Sequence, residues 1–172
     1  KIACLYEGTN GIQALDLVGR KMGAKKGANM MTFLVDMAGA IDKAMKFPEL
    51  KPYAKHLEDA HMAFMLMSQQ FASWAKGANF LVPVIYARPV LMIMGDLMCG
   101  WLLMDAAAIA AGKLEEMYRA AGAETAGEKR AVARDKADAA YYQGKIASAK
   151  FFATSVLSQL TSRCKGVELG DR

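Results

Sequence analysis

Leu57-Glu-Asp-Ala60-His61-Met-Ala-Phe64-Met-Leu-Met67-Ser-Gln-Gln-Phe71-Ala-Ser-Trp74-Ala-Lys-Gly-Ala78 is the stretch that decides the fold. Leu57, Ala60, Phe64, Met67, Phe71, Trp74 and Ala78 recur at steps of three and four, while Glu58, Asp59, Gln69, Gln70 and Lys76 fall on the other side. That period is the apolar face of an amphipathic α-helix, since 3.6 residues make one turn. A stripe of methionine and aromatic residues of this kind reads as core, not as a ligand site. Pro48 or Pro52 can open the helix, because proline fits a first turn whose N–H groups have no acceptor within the helix.

Outward from this helix the pattern repeats. Met30, Leu34, Met37, Ile41 and Ala44 predict a helix from about Ala28 to Lys46, stopped at Phe47-Pro48. Asn79 to Arg88, with Pro83, is a hinge, and Pro89 lies near the start of the next helix. Val90 to Ala111 is apolar on every side except at Asp96 and Asp105, and then runs on into the charged Lys113-Leu-Glu-Glu116. Its length could cross a bilayer. Each aspartate would cost roughly 2.5–3.5 kcal/mol near the bilayer centre, so the expectation is a bundle helix covered all round, with a subunit interface as an extra cover and no membrane span. Small residues from Ala120 to Gly127 form a connector. A last helix is expected from Glu128 or Lys129 to about Arg163, striped by Tyr142, Ile146, Ala149, Ala153, Val156 and Leu160 and stopped by Lys165-Gly166. Its first half, with Arg130, Arg134, Asp135 and Asp138, should be exposed. The fold class is therefore all-α: an antiparallel bundle of about four long helices preceded by a short helix.

The short helix comes after the one stretch that points to chemistry, Tyr6-Glu7-Gly8-Thr9-Asn10-Gly11-Ile12-Gln13. Its glycines, threonine and asparagine suit a tight loop, and Thr9 or Asn10 can cap the short helix. Ile12, Leu15 and Val18 or Gly19 lie on one face, Asp16 and Arg20 pair at i, i+4 on another, and Gly23-Ala-Lys-Lys-Gly27 ends the helix. By spacing alone Glu7 reads as a solvated loop carboxylate.

Those same residues, running on through Ala14-Leu-Asp-Leu-Val-Gly-Arg-Lys21, resemble the catalytic-base segment of the acyl-CoA dehydrogenases. Tyr141-Tyr-Gln-Gly-Lys-Ile-Ala-Ser-Ala-Lys-Phe-Phe152 resembles a segment of the extra C-terminal helical domain of the longer bacterial members, which are similar to 3-methylmercaptopropionyl-CoA dehydrogenase. The resemblance implies a flavoprotein that forms a trans double bond between C2 and C3 of an acyl-CoA thioester. Glu7 matches the base, Gly8 a position close to substrate, and Thr9, Asn10 and Gly11 the segment that touches FAD; some relatives carry Gln where this chain has Gly11. It further implies a homo-oligomeric cytoplasmic enzyme passing electrons to an electron-transfer flavoprotein. Residues 1–24 would end the dehydrogenase core and residues 25–172 would form the C-terminal bundle, a piece inactive by itself. Two rivals remain on residues alone: a non-enzymatic helical interaction or oligomerisation module, and a membrane-associated bundle. Acyl-CoA oxidases share much of the same motif.

Composition narrows the remaining classes. A chain of 172 residues, 54% hydrophobic with 4 prolines, can bury a core. A net charge of +5 is spread along the chain without the clustered cations and interleaved aromatics of a nucleic-acid surface. Cys4, Cys99 and Cys164 are odd in number and unspaced as a motif, so reduced thiols are expected, two of them packed as small hydrophobes. Glu58-Asp-Ala-His61 is one Glu-x-x-His step, where a di-iron bundle needs two and two further glutamates; no metal site is assigned.

Overall fold

The structure is a computed structural model that describes Ile2, residues 9–74, Gly77, Asn79 and residues 81–170. Among these residues the fold is an all-α bundle without a strand. Its helices are α1 (Asn10–Asp16), α2 (Ala28–Met45), α3 (Lys51–Trp74), the single turn α4 (Val82–Ile85), α5 (Ala87–Ala120), α6 (Ala126–Asp135), α7 (Ala137–Ser155) and α8 (Leu160–Leu169). The long α5 is the axis; α1, α2, α3, α7 and α8 all pack against it.

The α3 stripe forms as its period requires. Leu57, Ala60, Phe64 and Met67 are fully buried, and Phe71 and Trp74 nearly so. Ala78, expected on the same stripe, lies outside the described residues. Pro52 sits in the first turn of α3. A tight turn joins α2 to α3: the Phe47 N–H donates to the Ala44 carbonyl at 3.1 Å, the Leu50 N–H donates to the Phe47 carbonyl at 2.9 Å, and Leu50 is fully buried. Phe33 of α2 sets its ring edge-on to Phe64 of α3 at 6.4 Å and to Trp101 of α5 at 5.6 Å, tying three helices together.

The expected last helix is broken twice. Lys136 leaves the helical region (φ −120°, ψ 114°) and separates α6 from α7. Ala133 and Ala139, six positions apart, would sit about 120° apart around one straight helix; the break lets both turn inward. A second break falls at Val156 (φ −118°, ψ −57°), followed by the 3₁₀ turn Leu157–Gln159. Side chains there occupy carbonyls near the break: Thr154 Oγ1 donates to Lys150 and Phe151 at 3.0 Å, Ser158 Oγ to Thr154 at 2.6 Å, and Gln159 Nε2 to Ser155 at 2.7 Å. The consequence is a change of core residue: Val156 is only half-buried, and Leu157 takes its place inside.

Three boundaries differ from the sequence expectation for local reasons. α6 starts at Ala126, earlier than Glu128, because Thr125 and Glu128 form a reciprocal capping box. Gly166 lies within α8, which runs to Leu169 because buried Cys164 and Val167 hold that turn against the bundle. The 79–88 hinge contains the turn α4.

Candidate functional site

Of the residues singled out in the first segment, Glu7 and Gly8 lie outside the described residues, as does Cys4. Thr9, Asn10 and Gly11 are adjacent and exposed at the start of α1. Thr9 is the N-cap, but with φ 62° it makes no side-chain cap bond; its carbonyl instead accepts from the N–H groups of Ile12 and Gln13 at 3.2 and 3.4 Å. The side-chain cap expected from Thr9 or Asn10 is therefore absent from α1. A Cβ on Gly11 would meet nothing within 4 Å, so this point of the chain is open to a neighbour.

α1 turns its other face inward. Ala14 and Leu17 are buried, whereas Ile12 (65% exposed) and Leu15 (47%), which share a face, look outward. The Asp16 and Arg20 pair forms as expected, with Arg20 Nε donating to Asp16 Oδ1 at 2.6 Å and Nη2 to Oδ2 at 3.0 Å. The Arg20 guanidinium holds the Asp16 carboxyl below its ordinary range. After Asp16 the helix widens into a π turn, Leu17–Lys21, closed by the Met22 N–H donating to the Leu17 carbonyl at 2.9 Å. Lys25, Lys26 and Gly27 then take left-handed conformations in succession, φ 51°, 58° and 86°, and turn the chain into α2.

Lys26 and Gly27 of this turn help to line a groove of about 360 Å³ between the end of the π turn, α2, α3 and Pro83. Met22, Met30, Met31, Met65 and Phe71 line it. A larger cleft of about 560 Å³ lies at the far end, beside Tyr118, Lys129, Gln143 and Lys150. There Gln143 Nε2 donates to the Tyr118 hydroxyl at 2.9 Å, and Lys150 pairs with Glu49 at 3.2 Å.

His61 faces α2, and its Nε2 is buried without a hydrogen-bond partner; burial lowers its pKa against the opposing pull of the Leu34 main chain and Glu58. Among the described residues no group of three or more His, Cys, Asp or Glu side chains comes together. Cys164 is buried and Cys99 exposed, so of the two packed thiols expected the described residues supply Cys164. Burial pushes the Cys164 thiol up to about 11, with Glu168 adding to the shift.

α5 is long and apolar enough to cross a membrane by length and composition, and it is not covered all round as expected: Met92, Leu102 and Ile109 are exposed on the side away from its buried residues. Its two aspartates are both engaged in intrachain pairs: Arg163 Nη1 donates to Asp96 Oδ2 at 2.5 Å, and Lys43 Nζ to Asp105 Oδ1 at 3.2 Å.

Comparison with known proteins places this architecture. Two butyryl-CoA dehydrogenases of Syntrophomonas wolfei subsp. wolfei are each 30% identical over 171 residues, covering 99% of this chain and 25% of the relative. A broad-specificity linear acyl-CoA dehydrogenase of Mycobacterium tuberculosis is 33% identical over 176 residues, covering 99% of this chain and 26% of the relative. The chain thus spans about a quarter of the length of the curated relatives it matches. The profile described as acetyl-CoA dehydrogenase C-terminal like matches residues 33–172. With most of α2 and everything after it inside that match, the chain belongs to the C-terminal domain family of the acyl-CoA dehydrogenases.

Proposed function

We propose that the chain is the C-terminal part of an FAD-dependent enzyme that removes hydrogen from C2 and C3 of an acyl-CoA thioester. The observation that carries the reading is the likeness to named acyl-CoA dehydrogenases over 99% of the chain, which takes in the Tyr6–Gln13 segment. In this reading residues 1–24 end the dehydrogenase core and residues 25–172 form the appended bundle. The isolated chain is inactive, and the whole enzyme is cytoplasmic and hands its electrons to an electron-transfer flavoprotein.

The chemistry asks for a base and for stabilised negative charge, because the α-C–H of a thioester is a weak acid. Glu7 is the base that takes the C2 proton. The backbone N–H of the same residue polarises the thioester carbonyl and stabilises the developing enolate. Burial of its carboxylate against the acyl group would raise its pKa towards working pH. Gly8 lets the chain pass close to substrate, since no Cβ intervenes. FAD, when bound, supplies the acceptor for the hydride that leaves C3. The residues assigned to it fit: Thr9, Asn10 and Gly11 are exposed and contiguous, offering a hydroxyl, an amide and an open backbone to a polar group.

The test is Glu7→Gln in the full-length protein. Gln keeps the size of Glu but cannot take the proton at neutral pH. FAD content and acyl-CoA binding should stay near wild type, while flavin reduction by substrate falls by about 10²–10⁴-fold. Flavin bleaching at the wild-type rate would remove Glu7 as the base.

A further inference from the structure

α5 and α7, the most closely associated helices of the bundle, leave between them the cleft of about 560 Å³ beside Tyr118. α5 turns Ala111, Leu114, Glu115 and Tyr118 to it, at the spacing i, i+3, i+4, i+7 of one helical face. α7 answers with Gln143, Ile146, Ala147 and Lys150, at the same spacing. Phe47 of the α2–α3 turn and Lys129 of α6 also line it. Its deepest residues, Ala111, Leu114 and Ile146, are buried and aliphatic. The polar groups around them have capacity to spare. Gln143 Nε2 donates to the Tyr118 hydroxyl at 2.9 Å, which leaves that hydroxyl's own proton to donate elsewhere. Lys129 Nζ rests over the Tyr118 ring at 5.6 Å. Lys150 Nζ rests over the Tyr53 ring at 5.5 Å, with Glu49 at 3.2 Å. Neither ammonium uses all three of its N–H donors on a described residue, and contacts of this kind are weak when open to water. Each lysine can therefore turn to a stronger acceptor.

These groups define the ligand. Ammonium and phenol donors beside an aliphatic floor suit an anionic head on an apolar body. The carboxylates set the charge of that head. Glu49 and Glu115 share the lining with Lys129 and Lys150, so the cleft is neutral as built. One added negative charge is met by the ammoniums; a second would face the two carboxylates uncompensated. That disfavours a phosphate, a nucleotide or a CoA thioester, and admits a carboxylate. The volume is in the range of small-molecule sites, and the aliphatic floor suits a hydrocarbon chain. We propose that the cleft between α5 and α7 binds a free medium-chain carboxylate, with Lys129, Lys150 and the Tyr118 hydroxyl on its head and Leu114 and Ile146 against its chain. No residue of the cleft belongs to the Thr9–Gly11 turn, so this site is separate from the one assigned to FAD.

The test is calorimetric titration of sodium octanoate, below its micellar concentration, into the 172-residue chain and into full-length protein. The expected result is a saturable site for one octanoate per chain. Lys129→Gln and Lys150→Gln should each weaken it about tenfold or more, as loss of a charged hydrogen-bond donor does. Lys145→Gln removes the same charge from the same helix, but that ammonium lies over Tyr141, outside the cleft, so affinity should not change. Ala147→Trp keeps both lysines and fills the cleft from its exposed side, so it should abolish binding. Helical circular dichroism should be the same in all these proteins. Acetate, which lacks the chain, and octylamine, which reverses the charge, should not bind at the same concentrations. Absence of saturable octanoate binding overturns the proposal, as does binding that both cleft lysines and Ala147→Trp leave unchanged. Octyl phosphate binding more tightly than octanoate would give the cleft to a phosphate-bearing ligand and overturn it too. So would a site open in the chain but closed in full-length protein, which would make the cleft a contact within the longer polypeptide.

Discussion

Gly100→Ala is the sharpest probe of the core. Gly100 lies in the middle of α5, where alanine is ordinarily worth about 1 kcal/mol more than glycine. Here the added methyl would stand 2.5 and 2.8 Å from the two Cδ atoms of Leu157 and 3.0 Å from its Cγ. Contact with Cγ means that the whole side chain must move, and Leu157 is only 1% exposed, enclosed by the turn between α7 and α8. Overpacking of this kind costs roughly 1–3 kcal/mol. Set against the helix gain, the expected net effect is a loss of about 1 kcal/mol in urea unfolding monitored by circular dichroism. Gly144→Ala is the control: it sits inside α7, and a Cβ there meets nothing within 4 Å, so it should gain roughly 0.5–1 kcal/mol. Leu157→Ala alone should cost about 2–5 kcal/mol. In that background Gly100→Ala should become stabilising, because its obstacle is gone. If Gly100→Ala stabilises the wild-type chain as much as Gly144→Ala does, Leu157 does not seat on Gly100 and the inward turn at Val156 is wrong.

Thr125→Ala removes the hydroxyl that accepts from the Glu128 N–H at 3.3 Å and should cost roughly 0.5–2 kcal/mol in the same unfolding assay. The Glu128 carboxyl is held below its ordinary range first by the Thr125 N–H, which the variant keeps, and then by the Thr125 hydroxyl, which it loses; as pH falls through and below that range, only the hydroxyl's share of the deficit should shrink. At high pH the buried Cys164 thiol should act in the opposite sense: the unfolded chain ionises near 9.0 and the folded one at about 11, so stability present below pH 9 declines as pH rises towards 11, and Cys164→Ala should flatten that limb of the stability–pH curve.

What could be read from the residues depended on whether one face of a helix dominated. The α3 stripe as far as Trp74 and the Met30, Leu34, Met37, Ile41, Ala44 stripe of α2 each have one apolar side, and the structure buries all of these residues but Met30, which is half-buried. The last helix misled because neither break is marked by proline or glycine. Lys136 is an ordinary helix former, and the bend serves the packing of Ala133 and Ala139, a tertiary demand that no local pattern carries. Gly166 misled in the other direction: it reads as a stop, but Val167 behind it is 2% exposed and holds the helix on. In α1, Ile12 and Leu15 are the larger apolar residues, yet small Ala14 is the one that fits against the bundle. At the candidate site the three positions Thr9, Asn10 and Gly11 fall together on one exposed turn. The roles given to Glu7 and Gly8 rest on the resemblance of their segment, since no periodicity or spacing distinguishes a base from a loop carboxylate.

The two aspartates of α5 settle a question that hydrophobicity leaves open. A helix with an apolar seam on each side has two nearly equivalent ways to lie on the bundle, differing by half a rotation about its own axis. Asp96 and Asp105 are nine residues apart, which is about 900° of winding and so roughly half a turn in projection. They emerge on opposite flanks, one reaching Arg163 on α8 and the other Lys43 on α2. Turned by half a rotation, each would face the wrong neighbour. The Lys43–Asp105 pair is exposed and the Arg163–Asp96 pair part-buried, and pairs open to solvent in this way add little to stability, roughly 0–1 kcal/mol apiece. Their value is in the choice of orientation: like two keys cut on opposite edges, they admit the helix one way round, and so determine which seam is hidden and which is offered.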